Sequence, residues 1–166
     1  PTPAPVVPPP VVPVAPAPVV QVTQPSASTG AITRLTATMQ WTFRYAPRET
    51  QVVTLAVEGP ALGSVIATRC RGSGCPFGVH RIRVRGLKRC RMNGGTHCRA
   101  PRTIELAWEF HGRRLGIGTV ITVAISRRGD VGRYYRFAVR RRRGPAVRIS
   151  CLAPGSVRPG RGCTVA

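Results

Sequence analysis

The sequence predicts an all-β fold: an immunoglobulin-like two-sheet sandwich preceded by an extended Pro/Val-rich N-terminal arm, with a closed barrel as the alternative. Three observations carry this expectation. The first 33 residues bear no charge, and everything after them carries the whole net charge of +21. Beyond residue 35, apolar and polar residues alternate with period two, and no stretch sustains a helical period. Clusters of Pro and Gly separate the alternating runs, as turns separate strands.

The arm comes first. Residues 1–33 are almost wholly Pro, Val, Ala, Ser and Thr. So Pro-rich a segment lacks the backbone N–H groups for a helix or hairpin and has no second apolar layer to pack on. Ordering it costs about 1–2 kcal/mol per residue, so a surface on its own domain or on a neighbouring copy must bury its valines. As polyproline II, the first 30 residues reach ~90 Å. A domain of the remaining length is only ~35–40 Å across. The arm therefore overshoots its own domain, and contact with another copy is expected, with Val11, Val12, Val14, Val19, Val20 and Val22 as candidate interface residues. VVQVTQ (Val19 to Gln24) is the one Pro-free stretch with strand character, able to join an open sheet edge. Thr2, Thr23, Ser26, Ser28 and Thr29 lie in a composition compatible with O-glycosylation.

Residues 34–166 form the second unit, long enough for one core. Its expected strands run in order. TATMQWTFRY places Met39, Trp41, Phe43 and Tyr45 on one face, and QVVTLAVEG does so for Val53, Leu55 and Val57. SVIATRC follows, then HRIRVRG with Ile82 and Val84 opposite its arginines. RTIELAWEF sets Ile104, Leu106, Trp108 and Phe110 against Glu105, Ala107 and Glu109. TVITVAIS aligns Ile121, Val123 and Ile125, RYYRFAVR aligns Tyr135, Phe137 and Val139, and AVRISC closes the series. The expected core contains Trp41, Phe43, Leu55, Leu106, Trp108, Ile121, Val123, Tyr135 and Phe137.

The 6 cysteines are even in number, which favours disulfides and an oxidising compartment. Fifteen pairings exist for such a set. Closeness in sequence selects Cys70–Cys75, Cys90–Cys98 and Cys151–Cys163. His97 adjoins Cys98, but no C-x2-C pair is present and the spacings fit no common zinc site, so no metal is expected.

Two segments carry a resemblance. CRGSGCPFG supplies Cys70, Gly72, Gly74, Cys75, Pro76 and Phe77; the run from GRRLGIGT supplies Gly112, Arg113, Leu115, Gly118 and Thr119, and its turn Gly129 and Gly132. With the tail residues Cys151, Leu152, Pro154, Gly155 and Cys163, residues 36–166 resemble a module recurrent in secreted proteins of high-GC actinobacteria. Cys90 and Cys98 lie in an insertion relative to that pattern. The resemblance implies a secreted or surface-exposed β-sandwich and points to no enzymatic activity.

Catalytic chemistry finds no foothold in the residues. Glu105 and Glu109 on one strand face would stand ~13 Å apart, too far for paired carboxylates, and are expected to pair with arginines. There is no nucleophile elbow and no phosphate-binding loop. The chain is thus expected to be no enzyme and to need no cofactor. Arginines interleave with Tyr134 and Tyr135 in RRGDVGRYYRFAVRRRR, but without a recognisable nucleic-acid-binding motif, and an exported protein would rarely meet nucleic acid. The basic charge suits an anionic polysaccharide instead. No run of 18 apolar residues free of Pro could span a bilayer. A start at Pro1 rather than Met predicts a mature form whose signal peptide has been removed, hence an extracellular or cell-surface location. The leading expectation is a structural subunit of a pilus-like homopolymer; the alternative is a wall- or polyanion-binding module with a Pro-rich spacer.

Overall fold

A computed structural model describes residues 33–86 and 99–160. Nine strands succeed one another: β1 Thr38–Tyr45, β2 Glu49–Glu58, β3 Val65–Arg71, β4 Val79–Arg83, β5 Thr103–Glu105, β6 Leu115–Gly116, β7 Val120–Ser126, β8 Gly132–Arg140 and β9 Arg143–Leu152. They form two antiparallel sheets. One has the order β1-β2-β5, with the short β6 also on β2; the other runs β4-β3-β7-β8-β9. The chain changes sheet after β2, β4 and β6, so β1, β2 and β5 face β3, β7 and β8 as the A-B-E and C-F-G strands of an immunoglobulin-like sandwich do. β4 lengthens the second sheet at one edge, and β9 lengthens it at the other.

Alternation fills the space between the sheets. Leu55 and Val57 of β2 meet Ile66 of β3, Ile121, Val123 and Ile125 of β7, and Tyr135, Phe137 and Val139 of β8, all buried. Trp41 sets its ring 5.4 Å from Phe137 and 6.1 Å from Tyr135, and Phe43 lies 5.4 Å from Phe137. Offset and edge-on aromatic pairs of this kind add about 0.5–1.5 kcal/mol each beyond their burial.

The loop Cys70–Cys75 is a disulfide, with Cα atoms 5.5 Å apart. It docks on the segment before β7: the Ser73 carbonyl accepts from Gly116 N at 3.0 Å and from Thr119 Oγ1 at 2.8 Å. Gly74 makes the fit possible. Its φ is +83°, and a Cβ there would stand 2.0 Å from the Arg114 carbonyl oxygen. Cys151 is also disulfide-bonded. Its expected partner Cys163, like Cys90 and Cys98, lies outside the described residues.

Two expectations need correction. Trp108 is not in the core: it is 65% exposed. β5 ends at Glu105, and Ala107–Phe110 forms a 3₁₀ turn, which replaces period two by period three. Leu106 and Phe110 stay buried, Trp108 swings out, and the Glu109 side chain turns in. Val53 is the second correction, at 50% exposed. The β1–β2 register shifts between Thr42 and Phe43, so Thr42 faces Thr54 but Phe43 faces Val52. Val53 is the extra residue of a bulge, and Val52 packs on the core in its place.

Urea denaturation should separate the two aromatic residues of the turn. Phe110→Ala should cost about 3–5 kcal/mol, whereas Trp108→Ala should cost a small fraction of that. Gly74→Ala should destabilise by at least ~1–3 kcal/mol, from the left-handed backbone before the clash with Arg114 is counted. An unchanged denaturation midpoint for Gly74→Ala would contradict the docking of the disulfide loop.

Candidate functional site

The second sheet is wider than the first, by β4 at one edge and by β9 at the other. Ile149 pairs across the ladder with Tyr135, and Val147 with Phe137, so all four side chains belong to the inner face. Trp41 and Phe43 of β1 cover Tyr135 and Phe137, but there the first sheet ends. Val147 and Ile149 are left 41% and 45% exposed. Tyr45, at the end of β1, leans on Gly144 and is also exposed. Among the described residues β1 and β9 each pair on one side only. Exposed apolar side chains thus line a mouth between β1 and β9, which among the described residues lack a second ladder strand, the arrangement that accepts an added strand.

The root of the arm is pinned at the end of the sandwich. Arg34 bridges Val131 in parallel; Leu35 N donates to the Val131 carbonyl at 3.0 Å, and Val131 N donates to the Thr33 carbonyl at 2.9 Å. Asp130 ties this crossing together. One carboxylate oxygen accepts from the Thr33 hydroxyl and the other from Arg127 Nε. Arg133 Nε reaches the Leu35 carbonyl at 3.2 Å. The Arg127 hydrogen bond, then the Thr33 hydroxyl, holds the Asp130 carboxyl below its ordinary value of 3.8, against the opposing effect of burial.

The opposite edge is closed by side chains. His80 of β4 donates from Nδ1 to Glu109, whose side chain is 3% exposed. The imidazole stands edge-on to Phe77 and Trp108, at 6.1 Å and 6.2 Å, and Phe77 in turn meets Phe110 at 5.3 Å. Glu109 therefore pairs with a histidine rather than with the expected arginine, while Glu105 has no ion pair among the described residues. The contact clasps β4 to the 3₁₀ turn and shuts the space that is open at β9. Among the described residues no group of three or more His, Cys, Asp or Glu could hold a metal ion. No helix there is long and apolar enough to cross a membrane.

The candidate interface valines, Val11, Val12, Val14, Val19, Val20 and Val22, lie outside the described residues. Sequence reasoning missed Val147, Ile149 and Asp130. AVRISC reads as an ordinary half-buried strand, although the last strand of a hairpin series is an edge. Asp130 did carry a signal, as the single Asp of the chain, set in a basic turn. Comparison with protein-family models, with curated proteins and with solved structures returned no match.

The Asp130 staple should appear in the acid limb of stability. A carboxyl depressed in the folded state contributes fully above its ordinary value, and the contribution drains away as pH falls from there toward the lower folded value. Asp130→Asn should lower the urea midpoint at neutral pH and flatten its decline below about pH 4. A variant with the same acid limb as the parent chain would show that the staple contributes nothing.

Proposed function

We propose that the chain is a non-enzymatic structural subunit of an extracellular, pilus-like filament, assembled by seating the arm of one copy on the domain of the next. The apolar mouth between β1 and β9 carries this reading. Val147 and Ile149 lie half-exposed on a strand that, among the described residues, has a ladder neighbour on one side only, and the chain itself holds a complementary segment. In Val19–Gln24, Val20 and Val22 share one face of a strand, so a strand seated at the mouth would lay both on Val147 and Ile149 while its backbone pairs with an open edge. Thr33 and Leu35, at the start of the described residues, are held by hydrogen bonds to Val131 and Asp130. A head-to-tail contact of this kind is heterologous and propagates into an open helical assembly. The Cys70–Cys75 bridge and the bonded Cys151 suit an oxidising exterior.

The charge distribution favours a second reading, a wall-associated module that binds an anionic polysaccharide and uses the arm as a spacer. Four of the five strands of the wider sheet contain arginines, and none of the five contains Asp or Glu.

Removal of residues 1–30 should leave a folded β-domain that no longer polymerises, as seen by negative-stain microscopy and size exclusion. The arm supplied as a free peptide should block growing ends, and Val147→Asp with Ile149→Asp should stop growth in the full chain. Fibres formed by the truncated chain would overturn the arm mechanism.

A further inference from the structure

We infer that the outer face of the β4-β3-β7-β8-β9 sheet is a binding site for a carboxylated polysaccharide. This inference rests on the polyanion reading and is independent of filament assembly.

The strand registers arrange the arginines in rows. Arg148 of β9 stands directly opposite Arg136 of β8; Arg136 is opposite Thr122 of β7, and Thr122 is opposite Arg69 of β3. Three guanidinium groups thus occupy one cross-strand row spanning ~14 Å at the usual strand spacing. All three are exposed. Like charges directly across a ladder destabilise a sheet, and a row with an acid at alternate positions would have removed the cost. No such acid exists on this sheet: Glu49 and Glu58 lie on β2, Glu105 on β5, Glu109 on the 3₁₀ turn and Asp130 in the β7–β8 turn. The repulsion is retained on one face of the molecule, where a polyanion would relieve it.

The neighbouring row supplies more than charge. It runs Arg81, Ala67, Ala124, Tyr134 and Ser150 across the five strands. The two alanines leave a depression, roofed by the tail that follows β9, with Arg158 at its rim. Its volume is about 390 Å³, within the range of small-ligand sites. A ring seated there would have Tyr134 as a flank, Thr122 and Ser126 hydroxyls as partners, and Arg69 and Arg81 beside its substituents. Guanidinium groups bind carboxylates and phosphates alike bidentately, and a carboxylated polysaccharide joins such a charge to a sugar ring that can enter the depression beside Tyr134. A single-stranded nucleic acid would need a series of aromatic platforms, and Tyr134 is the one aromatic side chain on this outer face.

The test measures binding of the full-length oxidised chain, at two salt concentrations, to a polygalacturonate fragment and to polyacrylate and single-stranded DNA of matched charge. The triple variant Arg69→Gln/Arg136→Gln/Arg148→Gln should weaken polygalacturonate binding by more than about tenfold, since three charge-assisted contacts are lost. The charge-matched Arg48→Gln/Arg102→Gln/Arg113→Gln should change it far less. Tyr134→Ala should weaken polygalacturonate but leave polyacrylate unchanged, and the thermal midpoint of the first triple variant should not fall. Equal losses in the two triple variants would show that net charge alone is read, and a lowered midpoint would make the row structural; either result overturns the site. Polyacrylate or DNA bound as tightly as polygalacturonate would overturn the polymer class. If no polyanion binds, the polyanion reading itself fails.

Discussion

Two stacked sheets bury their inner faces only where they overlap, and here one is five strands wide and the other three. The surplus must go somewhere. At the β4 edge it is met by the 3₁₀ turn, which brings Phe110 and Glu109 against Phe77 and His80. At β9 only β1 approaches among the described residues, with Tyr45 against Gly144, and Val147 and Ile149 remain half-exposed. The closed edge, the open edge and the aromatic packing of Trp41 and Phe43 all follow from that mismatch of widths.

Hydrogen bonds between segments distant in sequence tie the turns of the sandwich to its connecting chain. The disulfide loop gives the Ser73 carbonyl to the segment entering β7, and Asp130 fastens the root of the arm to the turn entering β8. With three of its five acids engaged in ion pairs elsewhere, the molecule has no carboxylate on the wide sheet to neutralise the arginine rows. One domain thus offers two surfaces of different chemistry, an apolar mouth and a cationic face. In the proposed assembly the first would receive the arm of another copy, and the second is the face proposed to bind a polyanion.

Most of the fold was legible because period-two alternation reports which face of a strand is buried, and burial in the wide sheet obeys it from Ile66 to Val139. Where the chain departed from extended geometry, the same reasoning failed. RTIELAWEF alternates throughout, yet Leu106 N is already committed to the Leu55 carbonyl and the backbone then tightens into a 3₁₀ turn. Alternation alone points Val53 inward, because a bulge leaves no mark in composition. The candidate site was less legible than the core. Each of Val147, Ile149, Arg136 and Arg148 looks like an ordinary strand residue until its neighbours across the ladder are known.

The sequence by itself determined the class of fold, the faces of the regular strands though not of the bulge at Val53 or the turn at Trp108, the local Cys70–Cys75 closure and the contrast between an uncharged N-terminal segment and a basic remainder. These depend on residues near one another in the chain, whose spacing sets their geometry. Only the tertiary structure decided that β9 overhangs its partner sheet, that Glu109 meets His80, that Asp130 holds Thr33, and that Arg69, Arg136 and Arg148 fall in one row. Each of these joins residues far apart in sequence through strand order and register, and local alternation carries no information about which strand will be its neighbour.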